Sequence, residues 1–103
     1  MDFDRAEKLA VVKTIAETID LDNQYKVGEL MYMDQLMKTL DFDSHFVEEA
    51  RQLNSVEAVS TLRGMSENKK KALIIMVDKM TEADGSVHTK EADFFVNLLN
   101  ILR

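Results

Sequence analysis

The chain contains no cysteine, which removes disulfides, thiolate metal sites and thiol nucleophiles together. It has no proline or tryptophan and only three glycines, so few positions can break a helix or build the tight turns of many hairpins. No apolar run approaches the ~18 residues of a membrane span. Positive charge is in deficit: 13 Lys and Arg stand against 19 Asp and Glu, a net charge of −6. That sign argues against nonspecific nucleic-acid binding, which works by neutralising phosphates, and against a polybasic membrane anchor. The opening Met1-Asp2-Phe3-Asp4-Arg5 lacks the basic and apolar regions of a signal peptide. Composition therefore predicts a globular, soluble intracellular protein, with residues 1–103 forming one domain and 46% hydrophobic residues available for a core.

What is present is helical periodicity. Leu9, Val12, Ile15, Ala16 and Ile19 mark one face of a first helix over residues 4–19. Leu30, Met33, Leu36, Met37 and Leu40 mark a second. Asp43 or Ser44 caps a third carrying Phe46, Val47, Ala50 and Leu53. Asn54, three residues before Glu57, starts a fourth on Val56, Val59 and Leu62 that ends at Gly64. Ser66 caps a fifth with Leu73, Ile74, Val77 and Met80 inward, and a sixth over 89–102 uses Phe94, Phe95, Leu98, Leu99 and Leu102. Met31, Met33, Met37, Met76 and Met80 fall where adaptable side chains would fill the seam between halves. The fold class is all-α, a compact bundle of about six helices.

An offset of 62 lays residues 10–40 over 72–102 without a gap. Ala10/Ala72, Asp22/Asp84, Glu29/Glu91, Leu36/Leu98 and Leu40/Leu102 are then identical, and the apolar spacing matches between them. Any two amphipathic helix pairs match in part; the two acidic identities are what amphipathicity leaves unexplained. The pattern predicts two pseudo-symmetric helix–loop–helix hairpins joined by connecting helices over 43–64.

The most distinctive stretch is Ala83-Asp84-Gly85-Ser86-Val87-His88-Thr89-Lys90-Glu91. Gly85 suits a left-handed helix end, Val87 anchors the loop, and Glu91 can turn back to the amides at the next helix start. Asp84-Gly85-Ser86-Val87 followed by Glu91, set between two helices, resembles the signature of the TerB-like tellurite-resistance family, and Asp22-Asn23-Gln24-Tyr25 with Glu29 resembles its degenerate first copy. Asn23 stands where the family has glycine, Lys26 and Gly28 replace its helix-starting residues, and His88 is a poor cap type. The resemblance covers nearly the whole chain. It implies a non-enzymatic, all-helical cytoplasmic module of bacterial stress and tellurite resistance, acting through protein partners near the inner membrane. It also implies a divalent metal ion held by Asp84 and Glu91, completed by Asp22 and Glu29. Hard cations take several carboxylate oxygens, so four from two loops could suffice where two would not. The alternative is that the same acids are helix caps in an interaction domain that needs no ion.

Other constellations carry less. Neither acidic loop places glycine sixth and glutamate twelfth, as an EF-hand requires. His45 with Glu48 and Glu49 has metal-capable helical spacing but fits a solvated face. With two histidines and no Gly-rich loop, nucleophilic triads and nucleotide fingerprints are unsupported. Lys69, Lys70 and Lys71 form a basic run in a first helical turn, where the helix dipole prefers acid. A homo-oligomer is compatible with this sequence, and so is a peripheral membrane complex.

Overall fold

The computed structural model describes residues 3–20, 27–82 and 89–102; at 20, 27, 81, 82, 89–92, 94 and 95 it describes the backbone alone. The described residues form six α-helices and no strand: α1 (Arg5–Asp20), α2 (Val27–Thr39), α3 (Ser44–Gln52), α4 (Ser55–Arg63), α5 (Glu67–Glu82) and α6 (Thr89–Leu102). The all-α reading therefore holds. The Cα radius of gyration, 12.6 Å, matches the ~13 Å of a compact chain of 100 residues. No helix is long and apolar enough to cross a membrane among the described residues.

The helix starts follow from their caps. At α1, the Glu7 amide donates to Asp4 Oδ1 at 2.8 Å and the Asp4 amide donates to Glu7 Oε1 at 3.0 Å, a reciprocal capping box. Asp43 accepts from the Phe46 amide, Asn54 from those of Val56 and Glu57, and Ser66 from that of Lys69, as the sequence predicted. Gly64 does end α4, but at φ −79°, so no left-handed turn is used there. That conformation falls on Asp41, with φ 57°. The Phe42 amide then donates to the Met37 carbonyl at 3.0 Å, closing α2 in the manner glycine usually allows.

α1 is the central helix. Ala10, Val11, Val12, Ile15 and Ala16 are essentially inaccessible, because α3, α4 and α5 all pack against it. Leu9 and Val12 meet Ala50 beneath Phe42, Phe46, Val47 and Leu53; its other side joins Leu62, Leu73, Val77, Met80, Leu98 and Leu102 in the larger cluster. Of the predicted core, Ile15, Leu36, Val77, Leu98 and Leu102 are buried and Leu40 is half-buried. Three apolar residues expected inside are out: Leu30 is half-exposed, and Met31 and Val56 are 68% and 77% exposed. Among its apolar residues with described side chains, α2 buries only Met33 and Leu36, and α4 buries only Ala58 and Leu62, so each apolar stripe is wider than its contact. Met33 and Met80 are buried, with Met37 and Met76 packed against that cluster.

The offset of 62 reappears in the elements. α1 and α5 begin and end 62 residues apart, and α2 and α6 begin 62 apart. The caps Asp4 and Ser66 correspond, as do the buried pairs Val11/Leu73, Ile15/Val77 and Leu36/Leu98. The neighbours differ. α5 packs against α1, α2 and α6, whereas α1 carries α3 and α4.

Candidate functional site

Glu29 and Glu91 are each the third residue of a helix, α2 and α6. A glutamate in that place can fold back onto the helix start, as Glu7 does at α1. Glu29 is completely buried, at 0% exposure. A carboxylate taken out of water costs several kcal/mol unless hydrogen bonds or an opposite charge compensate it. One turn on, Tyr32 packs half-buried against the core, and burial pushes its phenol above the usual tyrosine range. The start of α2 thus sets a buried carboxylate one turn from a phenol packed against the core.

Asp22 and Asp84 lie outside the described residues, and so does the side chain of Glu91. Of the four predicted ligands, the structure places one side chain, Glu29. Among the described residues no three His, Asp or Glu side chains stand close enough to hold one ion. The weaker cluster on α3 is accounted for by its neighbours. Glu49 pairs with Arg5 at 2.6 Å, Glu48 approaches Arg51 at 4.0 Å, and His45 is exposed.

The basic run divides. Lys69 Nζ donates to Glu7 Oε1 at 2.7 Å, and this bond, with those to Asp4, holds the Glu7 carboxyl below its usual range. That contact resolves the misplacement of Lys69 in a first turn. Lys70 reaches Glu67 at 3.8 Å, while Lys71 is exposed.

Sequence reasoning missed Lys13. It is buried within α1, with Nζ 3.0 Å from Glu17 Oε1 and 3.3 Å from the Arg51 carbonyl. That carbonyl belongs to the last turn of α3, where the helix leaves its acceptors unmatched, so Lys13 acts as a cap supplied from another helix. Its sequence signal was only the i,i+4 spacing to Glu17. Thr14 and Thr18, also buried, donate to the Ala10 and Thr14 carbonyls at 2.9 Å.

Concavities among the described residues include two of note. One, of about 100 Å³, lies between Lys13, Ala58, Leu62, Leu98 and Ile101, well under the ~300–1,000 Å³ of ordinary small-molecule pockets. The other is a groove of about 270 Å³ lined by Glu67, Lys70, Lys71, Ile74, Leu99 and Leu102. Compared with models of protein families, with curated protein sequences and with solved structures, the chain gives no match.

Proposed function

We propose that this chain is a non-enzymatic helical module of the TerB-like kind, serving bacterial stress or tellurite resistance in the cytoplasm through protein partners. In this reading α1–α2 and α5–α6 are copies of one unit, and the acids at the two loops hold a divalent cation. The duplication is supported by helix bounds and caps that recur at an offset of 62. The cation is supported by one observation above all: Glu29, a member of the proposed ligand set, is a carboxylate with no solvent exposure. Clustered carboxylates repel unless a cation neutralises them. In sequence, Asp84 precedes Glu91 by seven positions and Asp22 precedes Glu29 by seven.

A second reading has its own observation. Glu7, in the same helical position as Glu29, caps α1 and takes its balancing charge from Lys69. By that precedent the loop acids are caps, and the chain is an interaction domain alone.

The deciding experiment is thermal melting with calcium, magnesium, manganese or zinc, comparing the parent chain with Asp84→Asn and Glu29→Gln. The sensor reading expects one cation to raise the parent's stability, by about 2.7 kcal/mol at 100 times its Kd, and both variants to lose that gain. Parent and variants all unmoved by every cation would leave the interaction domain.

A further inference from the structure

We propose that the groove between the first half of α5 and the end of α6 docks an amphipathic helix of a protein partner, much as α3 docks on α1 within this chain. The inference deepens the partner-mediated reading and rests on it; it does not need the cation.

The corresponding face of α1 shows what such a surface accepts. There Leu9 and Val12 receive Ala50, with Phe46 and Val47 alongside. Lys8 and Arg5 lie over the Phe46 ring at 6.0 and 5.7 Å, and Arg5 holds Glu49. Moving 62 positions along the chain converts Arg5, Lys8, Leu9 and Val12 into Glu67, Lys70, Lys71 and Ile74, so the base that holds Glu49 on α1 is an acid on α5 and an occupant's carboxylate falls to Lys71, in the place of Leu9. Those four residues form one wall of the groove, and Leu99 and Leu102 form the other. Where α1 is covered by α3, this face of α5 is open among the described residues: Lys71 is exposed, Ile74 is half-buried, and Ile75 beside it is 55% exposed.

Charge selects the occupant. Two lysines line the groove against one glutamate, in a chain whose net charge is −6. Lys70 is engaged with Glu67, while Lys71 makes no ion pair among the described residues. A fitting helix carries an aromatic and small aliphatic residues at i, i+3/i+4 spacing, where Lys70 can lie over the ring, and a carboxylate beside the stripe for Lys71. The apolar floor supplies contact area, and the lysine supplies orientation and register.

The probe is a synthetic peptide of residues 41–53, the α3 segment, stapled between Glu48 and Gln52 because so short a helix is marginal alone. Both stapled positions are exposed in the parent structure. The peptide keeps Phe46, Val47 and Ala50 as its apolar stripe and Glu49 as its acid. It is titrated into the full chain while backbone amide resonances are followed. The expected result is saturable shifts at Lys70, Lys71, Ile74 and Leu99, about tenfold weaker binding with Lys71→Glu, and loss of binding for a Phe46→Ala peptide. Lys71 is exposed, so its variant does not depend on core repacking to fold.

Shifts confined to Leu9 and Val12 would mean that the peptide only displaces the resident α3, and would overturn the proposal. So would binding indifferent to Lys71→Glu, or no binding at millimolar peptide. Groove shifts that follow dilution of the protein alone would assign the face to a second copy and overturn the partner helix. Binding that maps instead to Leu30 and Met31 would remove the groove and leave the partner-mediated reading standing.

Discussion

Lys69 donates to Glu7 across 2.7 Å, and these two residues are themselves 62 positions apart. They hold the same place, the third of a helix, in α1 and α5. The contact joins two helix starts, whose dipoles point their positive ends together, and the Glu7 carboxylate lies between them.

Breaking that contact should cost stability in a way that depends on the partner. A double-mutant cycle of Glu7→Gln and Lys69→Met, read by urea denaturation, is expected to give a coupling of about 1 kcal/mol. A coupling near zero would place the pair among ordinary surface ion pairs.

The same pair sets an acid dependence. Its lysine and the Asp4 amide hold the Glu7 carboxyl below its usual range, so folding favours the ionised form. The stabilisation is complete above the unfolded value of about 4.3 and is lost as pH falls through the lower folded value. Glu7→Gln should therefore be less stable than the parent at pH 7, with the gap closing below about pH 4. Denaturation midpoints measured from pH 7 to pH 3 check it; a constant gap would contradict it.

Asp41 occupies a left-handed conformation, φ 57°, that glycine adopts without penalty. Asp41→Gly should stabilise by about 0.5–1 kcal/mol, and Asp41→Val should destabilise by about 1–2 kcal/mol. Two thermal melts decide it, and a loss of stability in the glycine variant would run against the turn as described.

Leu73 is fully buried between α1 and its own helix's neighbours. Leu73→Ala should cost about 2–5 kcal/mol. Leu98→Ala, on α6, should fall in the same range, whereas Val56→Ala should change stability by less than about 0.5 kcal/mol. Chemical denaturation of the three variants would expose a misplaced core.

The helices were legible because their signals are local. Asp43, Asn54 and Ser66 announce starts through side chains that reach only two or three residues ahead, and a 3.6-residue period does not need a partner to be read. Which stripe is covered depends on the neighbour, and there the sequence misled. Met31 and Val56 look like core residues on their own helices and are exposed, while Lys13 looks solvated and is buried because α3 ends above it. In the candidate site, Glu29 was legible as a chosen acid, but its complete burial was not, since burial is a property of the assembly around α2. Asp22, Asp84 and the side chain of Glu91 fall outside the described residues, so for them the sequence remains the whole of the reading.

The central position of α1 has a consequence for synthesis. Ribosomes make this helix before any of the elements that cover it, and its last apolar faces close only when α5, some sixty residues downstream, has left the exit tunnel. Until then the side carrying Val11 and Ile15 lacks its cover of Leu73, Val77 and Met80. Contacts this distant in sequence slow folding and lengthen the exposure of sticky segments. Truncated nascent chains ending before α5 should accordingly be chaperone clients, and release should come late, when Lys69 finds Glu7.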